Sequence, residues 1–380
     1  QFKIKEKDNE YFLAWTTTPW TLPSNTALGV GADIEYLKLR TINPYTGKEL
    51  KLILAKELLS KWFDKVMEGK PINEFKKGDK NVPYSIIETC TGKDLEGIEY
   101  EQLIPGPIPK KGEAFKVLLG DFVTIEDGTG IVHLAPSFGA DDMRVCNQNN
   151  IGSLTLVDKS GKFVSECPHW AGRYVKNFND DPEYQNVDID IVVYLKQNNK
   201  AFKVEKYAHT YPHCWRTDKP ILYYPLDSWF IKTTAYKNRL TELNKTINWK
   251  PKATGTGRFG NWLENLVDWN LSRSRFWGTP LPIWLSRDRK EIKVIGSVSE
   301  LQEEVEKAVV AGFMEQNIAE DFDLHKPFVD RIVLSSETGQ KMYREPDLID
   351  VWFDSGAMPY AQQHYPFKKN NDLDGKFPAD

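Results

Sequence analysis

Short apolar runs rich in β-favouring side chains set the pattern of the first half of the chain: YFLAW at 11–15, YLKL at 36–39 and LKLILA at 50–55 predict strands. Helical spacing takes over at roughly 56–68, where Leu58, Leu59, Trp62, Phe63 and Val66 recur on one face. The run FVTIEDGTGIVHLAP at 122–136 predicts two strands around a turn, with Asp127, Gly128 and Gly130 as the turn residues. A short helix led by acidic residues is expected from Gly139 to Asn147, and a longer one after Asp181, with Pro182 near its first turn. At 206–232 the texture changes to KYAHTYPHCWRTDKPILYYPLDSWFIK, dense in aromatics and prolines, and a domain junction is placed near 205. Further helices are predicted at about 233–247, 258–267 and 298–316, the last with Leu301, Val305 and Val309 on one face. Between Ile283 and Asp347 the pattern reads as an insertion that interrupts a core.

A chain of 380 residues exceeds what one core usually organises, so two or more domains are expected. With 40% hydrophobic and 27% charged residues it has the composition of a soluble globular protein. No apolar run approaches the roughly 20 residues of a membrane helix. Cys90, Cys146, Cys167 and Cys214 are far apart and show no Cys-x-x-Cys spacing, which gives neither a disulfide framework nor a zinc site and suits a reducing cytoplasm. The start at Gln1, without methionine or signal region, reads as a piece of a longer protein. The net charge of −4 argues against a generally basic nucleic-acid binder. Its distribution is uneven: residues 196–275 hold fifteen Lys or Arg against six Asp or Glu, so this stretch is +9 and the remainder −13. Such a stretch is a phosphate-facing surface or a solvated helix face.

Two strings carry candidate chemistry. Trp15-Thr16-Thr17-Thr18-Pro19-Trp20-Thr21-Leu22-Pro23-Ser24-Asn25 places hydroxyls directly after a strand, with prolines that stop helix or ladder continuation. Read alone, the three threonines are a strand end with satisfied side chains. Gly128-Thr129-Gly130-Ile131-Val132-His133-Leu134-Ala135-Pro136-Ser137-Phe138-Gly139-Ala140-Asp141-Asp142 combines glycines that permit close backbone approach, a histidine at a strand end, and two carboxylates opening a helix. Alone, those carboxylates answer a helix dipole. Together, in this order and about a hundred residues apart, the strings say more than either does.

Both strings resemble the signature segments of the editing domain of isoleucyl-tRNA synthetases. Valyl and leucyl relatives have an arginine after two threonines, where Thr18-Pro19-Trp20 stands here, and a proline-alanine-histidine-aspartate run, where this chain has Pro136-Ser137-Phe138-Gly139. The resemblance continues through His209-Thr210-Tyr211-Pro212-His213-Cys214-Trp215-Arg216, through Trp269 to Gly278, and through Asp350-Val351-Trp352-Phe353-Asp354-Ser355-Gly356. Thr217 stands where many relatives have a second cysteine, which weakens any zinc proposal, and 41–80 and 286–345 match no fixed motif. The HIGH-type and KMSKS-type nucleotide motifs are missing, so this piece is not expected to charge tRNA alone. Thr254-Gly255-Thr256-Gly257 lacks the ending of a P-loop.

The resemblance implies an α/β chain: a β-rich, barrel-like CP1 editing domain with flanking helices at 1–205, then a partial Rossmann-type catalytic core. That core would comprise a return into it at 206–285, a CP2-like insertion at 286–345, and a segment near the amino acid and adenylate at 346–380, where Trp352, Asp354, Ser355 and Gly356 belong to the synthetic site. The implied activity of the fragment is hydrolysis of valine wrongly attached to isoleucine tRNA, while the full-length enzyme joins isoleucine to that tRNA with ATP and Mg2+. The partners are the 3′ end of the tRNA carrying valine and the amino acid, with no membrane, no cofactor for editing and no metal ligands. The other readings are a fragment that binds tRNA without hydrolysis and a structural piece whose later core residues matter only in the intact enzyme. In the editing reading Asp142 anchors the substrate ammonium. Thr16, Thr17, Thr18, Thr21 and Asn25 orient water and stabilise an oxyanion, with Gly130 lining the pocket. His133 shapes the amino-acid pocket or touches the terminal adenosine, with general-base catalysis as the sharper alternative. Trp20 is the candidate for stacking on the single-stranded end.

Overall fold

The computed structural model describes residues 1–367 apart from 77, 80, 168 and 320. They form two compact units, divided between Pro225 and Leu226, and the chain is mixed α/β with several sheets.

In the first unit, β1 (Phe2–Lys3), β2 (Glu10–Phe12), β4 (Glu35–Ile42), β5 (Glu49–Ala55) and β6 (Tyr84–Thr91) build one sheet in the order β1-β2-β5-β4-β6. A second sheet sets β3 (Ala27–Val30) between β7 (Lys116–Leu119), parallel to it, and β8 (Ile131–Leu134), antiparallel. The two-residue period of a strand explains why the larger sheet is covered on both faces. From β5, Ile53 and Ala55 enter the main core, while Leu50, Leu52 and Leu54 enter a second cluster with Phe63, Tyr84 and Phe202. Leu28 and Val30 of β3, Val117 of β7 and Ile131 of β8 bring the smaller sheet into that same main core.

Three hydrogen bonds tie the sheets together. Tyr36 Oη accepts the Gly31 N–H at 3.0 Å and donates to the Gly130 carbonyl at 2.7 Å. The Ala55 N–H donates to the Thr129 carbonyl at 2.9 Å. At Gly130, where φ is +71°, an added Cβ would lie 2.3 Å from the Cβ of Ala55, so only glycine permits this approach.

Several local expectations are corrected by long-range packing. Only the second half of 122–136 is a strand: β8 pairs with β3, and 120–130 is a succession of turns in which the Asp127 carboxylate accepts the Gly128 N–H at 2.8 Å. The helix expected at 56–68 stops after one turn, Leu59–Trp62, because Phe63 takes an extended backbone to bury its ring and Asp64 caps the next turn at Val66. The helix placed after Asp181 starts later, at Val187–Gln197, where Asn186 rather than Pro182 sets its first turn; it buries Val187, Ile191 and Leu195, one every four residues. The segment 206–225 lies in the first compact unit, beyond the junction read at 205; Tyr224, for example, donates to the Val157 carbonyl at 3.0 Å.

In the second unit, β9 (Phe230–Ile231) pairs with β10 (Trp269–Asn270), and β11 (Ser272–Arg273) with β16 (Leu348–Ile349). Between them, β12 (Ile283–Ser286), β13 (Ile292–Val294), β14 (Val333–Ser335) and β15 (Lys341–Arg344) form a sheet in the order β13-β12-β15-β14. Every strand pair of this unit is antiparallel among the described residues. The helix Val298–Val310, capped by Ser297, covers this sheet by burying Leu301 and Val305 in a core with Trp284, Leu334 and Met342, and Ala308 is buried beside them on the helix. It ends earlier than 316, where Gly312 turns left-handed.

Candidate active site

The two strings converge in the first unit on a cavity of about 370 Å³, lined by Thr16, Thr17, Thr18 and Thr21 from one and by Gly130, His133 and Asp142 from the other. The turn residues Asp127 and Gly128 complete its wall, with Trp15, Phe122, Thr124 and Phe138. A volume of this size suits a small ligand.

Thr18 and Thr21 share the cavity side because Pro19–Ser24 is a 3₁₀ turn, in which residues three apart eclipse. The Thr18 N–H donates to Thr16 Oγ1 at 3.1 Å, and the Thr16 and Thr18 hydroxyls lie 3.3 Å apart. Thr21 Oγ1 donates its single proton to the Thr18 carbonyl at 2.9 Å. It therefore accepts at its 2.9 Å contact with His133 Nε2, which fixes the proton on that nitrogen and leaves a bare lone pair on Nδ1. That Nδ1 is buried and has no hydrogen-bond partner among the described residues. Burial pushes the His133 imidazole down to about 4, so it is neutral at physiological pH.

Asp142 is the third residue of the helix Ala140–Gln148, and its Oδ2 accepts the Ala135 N–H at 2.8 Å. Its carboxylate folds back over the helix start, where a Cβ on Gly139 would stand 2.7 Å from its Cγ. Burial raises its pKa, against the pull of the Ala135 N–H. Asp141 faces the other way: it is exposed and shares Arg144 with Asp121, at 3.2 and 2.6 Å. Only one of the paired carboxylates is thus offered to a cation in the cavity.

Two residues of the first string do not reach it. Trp20 is 3% exposed, sits edge-on to Phe138 at 4.9 Å, and donates its backbone N–H to Asp188 at 2.8 Å. Asn25 is 2% exposed and is spent on the fold: its amide donates to the Ala27 carbonyl at 2.8 Å and its oxygen accepts from Tyr100 Oη at 2.7 Å. The 3₁₀ turn that aims Thr18 and Thr21 at the cavity carries Trp20 inward. Phe122, Thr124 and Asp127 were missed because their segment reads as half of a hairpin; the Asp-Gly turn is the one signal that marked it.

Trp352, Asp354, Ser355 and Gly356 lie on the helix Val351–Ala361 of the second unit, which Asp350 caps. Trp352 is 73% exposed, Asp354 accepts from Thr279 Oγ1 at 3.2 Å, and Ser355 donates to the Trp352 carbonyl at 3.2 Å. The part of 346–380 beyond 367 lies outside the described residues. Among the described residues no group of three or more His, Cys, Asp or Glu is arranged to hold a metal ion, and no helix is long and apolar enough to cross a membrane.

The model of the family described as tRNA synthetases class I (I, L, M and V) matches residues 6–380. The isoleucine--tRNA ligase of Cytophaga hutchinsonii is 57% identical over 407 aligned positions, covering 100% of this chain and 36% of the relative. That of Bacteroides fragilis strain ATCC 25285 is 52% identical over 433 positions, covering 100% and 38%. The chain thus spans little more than a third of the length of these relatives. Among solved structures, the crystal structure of GlLeuRS-CP1 is similar at a TM-score of 0.28 and 23% identity, over 38% of this chain and 46% of that one. The Plasmodium knowlesi cytosolic leucyl-tRNA synthetase editing domain is similar at 0.32 and 13%, over 50% and 82%.

Proposed function

The chain belongs to the class I tRNA synthetases, and from that premise we propose that its first unit is an editing hydrolase that cleaves the ester of valine wrongly joined to isoleucine tRNA. The observation that supports this most is the convergence of Thr16, Thr18, Thr21, His133 and Asp142, from strings about a hundred residues apart, on one cavity.

An aminoacyl ester presents an ammonium beside its carbonyl. The partly buried Asp142 carboxylate binds that charge, and the substrate cation in turn favours the ionised form that burial opposes. The threonines line the same cavity, where their hydroxyls orient a water on the ester carbonyl and donate to the oxygen as negative charge develops. With an imidazole pushed down to about 4 and its Nε2 proton held by Thr21, His133 is better suited to accept a hydrogen bond through Nδ1 than to remove a proton from water. No covalent nucleophile is needed.

Editing answers the weak discrimination of a single methylene in a binding pocket, of which isoleucyl-tRNA synthetase is itself the worked case. A second pocket accepts valine and rejects isoleucine by overlap, since an extra methylene in a packed site costs about 1–3 kcal/mol. Joining isoleucine to tRNA with ATP and Mg2+ is proposed for the whole protein. Among the described residues no cluster of His, Cys, Asp or Glu is arranged to hold that cation. The test is single-turnover hydrolysis of valyl- and isoleucyl-tRNA, both on isoleucine tRNA. The expected result is faster release of valine; equal release of both, or of neither, contradicts the proposal.

A further inference from the structure

With Trp20 buried, the stacking surface for a single-stranded end must lie elsewhere, and the rim of the cavity supplies one. Trp15, which lines the cavity, meets Tyr207 edge-on at 5.0 Å between ring centroids. From Tyr207 the rings continue without a gap: His209 at 6.2 Å, Tyr211 a further 6.4 Å on and His213 a further 6.1 Å. The rings come from every second residue, with Ala208, Thr210 and Pro212 between them, so contacts from ring to ring run along one side of the segment. Three of its five rings are exposed, Tyr207 at 48% with His209 and His213, while Trp15 and Tyr211 are half-buried. Tyr207 Oη donates to Asp127 at 3.1 Å, which fastens the row to the cavity wall. Arg216 lies 4.5 Å from the neighbouring Trp215 ring and Lys61 offsets the Asp127 charge at 3.3 Å, while Lys176, 5.0 Å from the Tyr211 ring, is paired with Asp188 at 2.7 Å.

We propose that the ladder Trp15–Tyr207–His209–Tyr211–His213 is a stacking track that leads the single-stranded 3′ end of an RNA into the cavity. Partly exposed rings in sequence, beside a cation such as Arg216, are the chemistry of a sequence-tolerant single-strand site, because every base has a π face and every linkage a negative charge. The inference rests on the editing reading for the cavity at its end, but its test does not require hydrolysis. The binding of a short fluorescein-labelled single-stranded RNA ending in CCA is measured by anisotropy for the whole chain, for Tyr207→Ala/His209→Ala and for His209→Phe, with the thermal midpoint of each as a folding control. The double variant is expected to bind about tenfold or more weakly, the loss of stacked bases, while His209→Phe, which keeps a ring face, binds at least as tightly as the unaltered chain. Binding by the double variant within about twofold of the unaltered chain overturns the proposal, as does a loss in His209→Phe equal to that in the double variant. A chain that bound RNA through the ladder but cleaved no ester would sink the editing reading alone.

Discussion

At Asp142, burial raises the pKa of a carboxylate. A group whose folded pKa is raised gives its stabilising contribution below the unfolded pKa and loses it as pH rises through the folded one. Asp142→Asn, which keeps an acceptor for the Ala135 N–H, is therefore expected to raise the unfolding midpoint at pH 7 and to give no gain near pH 3, while abolishing hydrolysis. His133 has the opposite shift, down to about 4. Between its ordinary value near 6.5 and that point, only the unfolded chain takes the proton, so stability falls as pH drops across this window, by roughly 3 kcal/mol. Urea unfolding at pH 7 and 4.5 checks this: His133→Gln should lose less stability on acidification than the unaltered chain, and an identical loss would show that the imidazole is not held neutral by the fold. What was legible at this scale was the identity of the groups, since hydroxyls, a histidine and a carboxylate in two strings carry their chemistry in the residue type. Trp20 and Asn25 show the limit, because neighbours in one string are sent to opposite sides by a single 3₁₀ turn.

Among the elements, the site depends on a close approach between the end of β5 and the turn that opens β8. Gly130→Ala combines a left-handed backbone with a Cβ 2.3 Å from that of Ala55, and is expected to destabilise the fold by about 2–4 kcal/mol and to slow hydrolysis at least tenfold. Gly172→Ala, also left-handed at φ +77° but with nothing within 4 Å, should cost only about 1 kcal/mol and leave hydrolysis unchanged. Thermal unfolding and ester hydrolysis of the two variants separate contact from strain. Runs whose apolar pattern matched their final partners, such as 50–55 and 298–310, were legible as elements. The hairpin at 122–136 and the helix at 56–68 were not, because β8 finds its partner in β3 about a hundred residues away and Phe63 leaves the helix to reach Tyr84 and Phe202. Periodicity describes one face of an element and does not say which distant surface will take it.

Across the whole molecule, every residue lining the candidate cavity lies in the first compact unit. Residues 1–225 expressed alone are accordingly expected to fold and to retain ester hydrolysis within about tenfold of the whole chain; a folded but inactive piece would place an essential group in 226–380. The order β1-β2-β5-β4-β6 could not be read from sequence, since its strands are joined across loops of very different length, whereas the division into more than one unit followed from size. If the cavity cleaves a valyl ester by holding its ammonium against Asp142, as proposed, hydrolysis requires both the charged amine and the carboxylate. The most direct measurement compares single-turnover hydrolysis of valyl-tRNA on isoleucine tRNA, with a free and with an acetylated amine, by the chain and by Asp142→Ala. Acetylation is expected to slow the unaltered chain at least tenfold, Asp142→Ala to slow the free-amine substrate at least as much, and acetylation to have little further effect in that variant. Equal rates for the two substrates in the unaltered chain, or full activity in Asp142→Ala, would contradict the proposal.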